Sequence, residues 1–166
     1  MDAQRPWHLP CDGPKTLNGL ILEFGVAGGT STRIIAKNAE PRTVHGFDSF
    51  EGLPGDWSGT HEQKGRYSQH GKLPRVPNNV KIHKGWVDQT LPGFLVANPG
   101  PVSFVNIDCD VYDSTIYVLD QLADRMRVGT LIVTAPGNRV VDANHGYDYT
   151  IALSRKPSAP PSSSAR

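Results

Sequence analysis

Apolar positions along the chain alternate between short runs and longer periodic stretches. Leu20–Phe24, Thr43–Phe47, Val80–Lys84, Val102–Asp108 and Thr130–Thr134 are short and bounded by turn-forming or charged residues. Runs of this kind read as strands, most of them buried on both faces as in a parallel sheet. Between them the spacing predicts helices over about Thr30–Asn38, Gln89–Ala97 and Ser114–Arg127. The last carries Ile116, Leu119, Leu122, Ala123 and Met126 at helical intervals, one face for packing on a sheet. Strands and helices in alternation, joined by right-handed crossovers, predict an α/β fold: a doubly wound, mostly parallel, Rossmann-like sheet.

Two stretches break the rhythm. Glu51–Asn79 is rich in Gly, Pro and polar residues, has no periodicity, and joins two expected strands. A loop of that length is uncommon unless it works, so it reads as an active-site cover, with plain surface irregularity as the competitor. After the fifth strand, Tyr147–Ser154 reads as one edge strand, and the composition KPSAPPSSSAR reads as disorder. The expected organisation is an N-terminal extension over 1–18, one domain over 19–155 and a disordered tail over 156–166.

Candidate chemistry concentrates in Leu20–Ile35, LILEFGVAGGTSTRII. Gly25, Gly28 and Gly29 follow the first strand, where missing Cβ atoms allow a sharp turn and the close approach of a ligand. Thr30 or Ser31 is placed to cap the next helix, whose free N–H groups favour a negative or polar ligand atom. The spacing Glu23-x-Gly25-x-x-Gly28-Gly29 is neither the dinucleotide G-x-G-x-x-G nor a phosphate loop ending in G-K-[ST]. Asp48, at the tip of the second strand, is placed to take both hydroxyls of a ribose. The ligand therefore reads as an adenosine carrying something other than a phosphate chain.

Composition narrows the classes. With 17 basic against 16 acidic residues, the 166-residue chain lacks the charge excess of a nucleic-acid binder. No apolar run approaches the ~20 residues that span a bilayer. The N-terminus lacks the basic-then-apolar order of a signal peptide, and two cysteines make no disulfide framework. A cytoplasmic protein is expected, with a small-molecule acceptor, neither nucleic acid nor membrane as partner, and homo-oligomerisation left open. Six histidines show no metal-ligand spacing; His45 and His83 read as satisfied strand residues, whereas His61 and His70 fall in the long loop. Trp57, Phe50 and Tyr67 could contact substrate or merely anchor local packing.

LEFGVAGGTSTRIIAK, HGFDSFEGLPGDW, HKGWVDQTLPGFL and VSFVNIDCDVYDST together resemble the class I S-adenosylmethionine-dependent methyltransferases, in particular the macrocin-type sugar O-methyltransferases. The resemblance runs from about Gly19 to Val133 and implies the Rossmann-like sheet of that class. It also implies S-adenosylmethionine as cofactor, with Glu23, Gly25 and Gly28 around its methionine part. Asp48 would hold the ribose, Ser49 and Phe50 would lie beside the adenosine, and Gly85 and Trp86 would line the adenine end. Asp108, at the tip of the fourth strand, would face the reacting centre as the catalytic residue. There a carboxylate can take a proton from a substrate hydroxyl or, with Asp110, hold a divalent cation such as Mg²⁺.

The chain departs from the family after the fifth strand. Relatives carry an adjacent acidic pair that completes a metal site; here GTLIV is followed by Thr134-Ala135-Pro136, with no acid until Asp142. The carboxyl third reads as shortened or rearranged and the far edge of the sheet as reduced. A weak Mg²⁺ site on Asp108 and Asp110 and low turnover are expected. The leading reading is O-methylation of a hydroxyl on a sugar or small natural product. The alternatives are a non-catalytic cofactor-binding remnant and, with an apolar strand ending in Asp108-x-Asp110, a metal-dependent nucleotide-sugar glycosyltransferase.

Overall fold

The computed structural model describes residues 18–55, 63–109 and 112–134. Its strands are β1 (Leu20–Phe24), β2 (Val44–Asp48), β3 (Val80–Lys84), β4 (Val102–Ile107) and β5 (Met126–Thr134), and its helices α1 (Thr30–Ala39), α2 (Val87–Ala97) and α3 (Tyr112–Leu122). The strands form one sheet, every pair parallel, in the order β3-β2-β1-β4-β5. The chain therefore builds outward from β1 to β3 and then returns to the other side of β1. That reversal opens a crevice at the carboxyl ends of β1 and β4, where open α/β sheets bind ligands.

Alternation along the strands feeds both faces of the sheet. Ile21, Val44 and Phe104 pack with Ile35, Ala36 and Ala39 of α1. Leu22, Phe24, Phe47 and Val105 join Leu91, Phe94 and Leu95 of α2 and Val118 and Leu122 of α3 on the opposite face. Burial on both sides is why these strands read as nearly unbroken apolar runs rather than as half-polar ones. Among the described residues the sheet is the doubly wound one expected.

Several boundaries differ from expectation. α3 ends at Leu122 instead of running to Arg127; a 3₁₀ turn at Ala123–Arg125 follows, and β5 begins at Met126. The Arg125 guanidinium explains the break, since it donates to the carbonyl oxygens of Leu95 (2.7 Å) and Asn98 (2.6 Å) at the end of α2. Met126 still packs on the core served by α2 and α3, so the apolar rhythm continues while the backbone changes. α1 is capped by Gly29 in the left-handed conformation with no side-chain cap, not by Thr30 or Ser31. Asp113 lies inside the first turn of α3, which begins at Tyr112 rather than at Ser114.

The Glu51–Asn79 connection is more built than its composition predicts. Gln69 and Gly71 both donate to the carbonyl oxygen of Phe50, and Leu53 donates to that of Arg66. Asn79 bridges the carbonyl oxygens of Ala36 (2.9 Å) and Arg42 (3.1 Å). Its described parts thus fold back on the β2 tip. Trp57, His61, Asp110, Asp142, His145, the edge strand expected at Tyr147–Ser154 and both terminal segments lie outside the described residues.

Candidate functional site

A cavity of about 800 Å³ lies over the carboxyl ends of the central strands. Its wall includes Phe24, Gly25, Val26, Ala27 and Gly28 after β1, Asp48 and Ser49 at the end of β2, and Gly85, Trp86 and Val87 after β3. Asp108 and Cys109 close it beyond β4. Most residues singled out from the sequence therefore converge on one place, although they come from four separate strands.

The glycines have different duties. Gly25 has φ +90°, and a Cβ there would run into the carbonyl oxygen of Asp108. It is required twice, by backbone conformation and by the close crossing of β1 and β4. Gly28 faces open space, so its lack of a side chain leaves room at the wall of the cavity.

Asp48 is the most connected side chain of the site. Its Oδ2 accepts from the backbone N–H groups of Val26 (2.9 Å) and Ala27 (2.7 Å), and Oδ1 accepts from Phe50 N–H (2.7 Å). The carboxylate thus braces the glycine turn against the β2 tip while still lining the cavity. Two carboxylate oxygens offer about four lone-pair positions, so three backbone bonds leave capacity for a hydroxyl donor.

Glu23 and Phe50 stand apart from the cavity wall. Glu23 is fully buried, its Oε1 accepting from Asn106 Nδ2 at 3.0 Å across the β1–β4 register. Burial raises its pKa, the hydroxyls of Ser31 and Thr32 and the Asn106 amide offset part of that, and the Asp108 charge adds to the rise. Among the described residues no hydrogen bond of good geometry reaches its Oε2. Phe50 is 1% exposed in the core, with φ +61°, and offers the site its backbone rather than its ring. Ser49, Gly85 and Trp86 do line the cavity, and Trp86 keeps an exposed ring.

Asp108 sits one residue past β4, its N–H donating to the carbonyl oxygen of Phe24 at 2.7 Å. Partial burial raises the pKa of its carboxyl, which makes it a stronger proton acceptor than an exposed aspartate when ionised. Asp110, its expected partner at a cation, lies outside the described residues. Among the described residues no group of three or more His, Cys, Asp or Glu comes together to hold a metal ion.

Sequence reasoning overlooked Ser31, Ile34, Leu53, Val87 and Ser114 as cavity residues. Ser31 had a usable signal, a hydroxyl in the first helical turn after a glycine corner. Ile34 and Leu53 had none, since apolar residues in a helix or loop look like ordinary packing. Tyr67, considered for substrate contact or packing, does line the cavity and is 48% exposed.

Residues 22–134 match a family described as "Methyltransferase domain". A curated relative from Streptomyces olivaceus, 8-demethyl-8-(2,3-dimethoxy-alpha-L-rhamnosyl)-tetracenomycin-C 4'-O-methyltransferase, is 28% identical over 137 residues, covering 69% of this chain and 51% of its own. The chain thus spans about half the length of that relative. Among solved structures, one of CalS11, described as a calicheamicin methyltransferase, superposes with a TM-score of 0.61 at 24% identity, covering 71% of this chain and 57% of that one. A second structure, apo CalS11, described as a TDP-rhamnose 3'-O-methyltransferase, gives a TM-score of 0.55 at 23% identity over 75% of this chain and 58% of its own. These structures share the fold of the chain. No described helix is long and apolar enough to cross a membrane.

Proposed function

Because the chain belongs to this methyltransferase-domain family, we propose that its cavity binds S-adenosylmethionine and that the protein methylates a hydroxyl of a sugar. The observation carrying the proposal is Asp48, an ionisable group at the β2 tip that lines the cavity and is locked in place by three backbone N–H groups. The residues present fit an adenosine with an amino-acid tail. The Asp48 carboxylate has capacity left to accept from one ribose hydroxyl, the Gly85–Trp86 end offers an apolar, aromatic wall for a flat base, and the Gly25–Gly28 turn admits the tail closely. Ser49 completes the ribose side. Glu23 acts through the residues beside it, the buried support under the glycine turn. Family membership favours methyl transfer over the glycosyl-transfer alternative, which leaves the glycine corner without a use.

The bound cofactor supplies an electrophilic methyl carbon on a sulfonium. The protein must align an acceptor oxygen with that carbon and remove the hydroxyl proton. Asp108 is the residue placed to take that proton. One of its Oδ atoms would receive the proton of the acceptor hydroxyl, leaving the acceptor oxygen free to attack the methyl carbon that a bound cofactor would supply. Its raised pKa strengthens the ionised carboxylate as a base. The identity of the curated relative points to a sugar hydroxyl as acceptor.

Calorimetric titration with S-adenosylhomocysteine tests the reading. The chain should bind it, and Asp48→Asn should weaken binding by about tenfold or more, because each lost charge-assisted bond contributes roughly 1.5–3 kcal/mol. Unchanged affinity in that variant would remove Asp48 from the site. No binding to the unsubstituted chain would sink the cofactor assignment.

A further inference from the structure

Glu23 and Asn106 are partners in the β1–β4 register, at the centre of the sheet. Both are closed to solvent, at 0% and 1% exposure. The Asn106 amide donates through Nδ2 to Glu23 Oε1 at 3.0 Å, which uses one oxygen of the carboxyl group and the nitrogen of the amide. What remains on each group is an oxygen. Among the described residues neither of these, Glu23 Oε2 nor Asn106 Oδ1, has a hydrogen-bond partner. An unpaired buried polar atom is costly, and a charged one more so.

An ionised carboxylate only accepts hydrogen bonds, and an amide oxygen likewise only accepts. Two unpaired acceptors on bonded neighbours cannot satisfy one another, but a single proton on Glu23 lets them. The neutral acid donates its O–H to Asn106 Oδ1 while accepting from Asn106 Nδ2, and the two planar groups close a ring of two hydrogen bonds. Exchanging the nitrogen and oxygen of the amide leaves the count unchanged, since one edge of the ring still sets oxygen against oxygen. The third unpaired atom of this buried cluster, Thr32 Oγ1, belongs to a hydroxyl and carries a hydrogen of its own. Burial favours the neutral form of Glu23 most; the hydroxyls of Ser31 and Thr32 and the Asn106 amide work against it, and the Asp108 charge adds to it.

The place of the pair gives it a use. Two residues beyond Glu23, Gly25 passes so close to the Asp108 carbonyl oxygen that no Cβ fits between them. Two residues beyond Asn106 stands Asp108 itself, its N–H donating to Phe24 O at 2.7 Å. The pair therefore ties β1 to β4 directly beneath the glycine turn and the proposed base. A second negative charge at that depth would oppose the ionisation of Asp108. A neutral acid fixes the same seam without one. Resting on the methyl-transfer reading above, we propose that Glu23 works as a protonated acid, a positioning residue that closes a two-bond ring with Asn106 and holds the Gly25–Asp108 crossing without adding charge beside the base.

Infrared spectra of the full chain without ligand, at pH 7, test the proton. Exposed carboxyl groups are ionised there, and the C=O stretch of a neutral acid lies apart from the carboxylate bands. The unsubstituted chain should show such a band, and Glu23→Gln should lose it. Calorimetry with S-adenosylhomocysteine tests the positioning. Glu23→Leu, which can make neither bond of the ring, should lose about tenfold or more in affinity. Glu23→Gln should recover it, because its amide donates where the acid donated and accepts where the acid accepted. The proposal is overturned if the unsubstituted chain lacks the acid band, which would mean an ionised Glu23 served by Ser31, Thr32 or a buried water. It is overturned equally if the band survives in Glu23→Gln, if Glu23→Gln binds as poorly as Glu23→Leu, or if Glu23→Leu binds as tightly as the unsubstituted chain. Failure of the unsubstituted chain to bind S-adenosylhomocysteine overturns the cofactor reading and the use given to the pair, while the infrared band still decides the proton.

Discussion

Gly25 shows how much one position can decide. Its φ of +90° and the Asp108 carbonyl oxygen beside it leave no room for a Cβ, so Gly25→Ala must displace either the β1 turn or the β4 tip. Both carry the cavity wall. The expected outcome is a loss of S-adenosylhomocysteine binding larger than that of Gly28→Ala, whose Cβ meets open space; calorimetry on the two variants checks the order. His45 makes a second, independent case. Its Nδ1 lies 3.1 Å from His83 Nε2, so one ring must accept while the other donates. Phe47 and Phe94 pack against the pair, and Lys81 is the charged neighbour. Burial first, then the charges of His83 and Lys81, push His45 down to about 4, and His83 is lowered as well. The unfolded chain binds a proton near pH 6.5 that the folded chain refuses, so stability is present above that value and is lost as pH falls toward about 4. The loss should be on the order of 1–2 kcal/mol. Thermal unfolding between pH 7 and 5 should show a falling midpoint, flattened by His45→Phe; equal slopes would exclude the pair as its cause.

The connection between β2 and β3 is the element that departs furthest from its sequence pattern. Its composition predicted a cover without structure, whereas its described parts fold onto the β2 tip and contribute Gly52, Leu53, Pro54 and Tyr67 to the cavity. What organises it is the carbonyl oxygen of Phe50, which accepts from Gln69 and Gly71, and such long-range backbone bonds leave no periodic trace. The same cause hid the fate of Phe50. Its motif placed it beside the adenosine, but a left-handed backbone turns the ring into the core. Strand positions, by contrast, were readable to within a residue or so for β1 to β4: burial on both faces leaves short, mostly apolar runs in β1, β2 and β4, whereas β3, half exposed at the sheet edge, shows Val80 and Ile82 alternating with polar residues. The end of α3 was not, since a guanidinium reaching back to α2 ends the helix without altering its apolar spacing. A wall that also touches ligand should be steadied by it. Trypsin cleavage at Lys64 and Arg66 should therefore slow when S-adenosylhomocysteine is present. Equal rates with and without it would mean that the connection serves the fold and not the site.

At the scale of the whole molecule, the chain assembles its cavity from the ends of four strands and spans about half the length of its curated relative. The cavity has its glycine turn, its braced Asp48 and its aromatic end within the described residues. The chemistry of deprotonation rests on less. On the proposed reading Asp108 is the carboxylate at the reacting side, and Thr134 and Ala135 stand after β5 where the resemblance leads one to expect a second acidic pair. A cation such as Mg²⁺ seeks near-octahedral oxygen coordination and usually takes one or two carboxylates besides waters and substrate oxygens. Asp108, with Asp110 outside the described residues, supplies that number at most. Among the described residues no group of three or more His, Cys, Asp or Glu gathers there to hold the ion while the acceptor oxygen is activated. Asp108 acting as a base gives a slower route, since a carboxylate is a weak acceptor for a sugar hydroxyl proton even when burial raises its pKa. Affinity for S-adenosylhomocysteine should accordingly be indifferent to EDTA, and methyl transfer to a sugar acceptor by this chain should be slow and equally indifferent. Asp108→Asn should then abolish transfer while leaving cofactor affinity within about twofold, because a neutral amide keeps the shape but cannot take the proton. The measurement is release of S-adenosylhomocysteine with and without chelator. Fast transfer that EDTA stops would show that a metal site is completed by residues beyond those described, and that Asp108 serves there as a ligand rather than as the base.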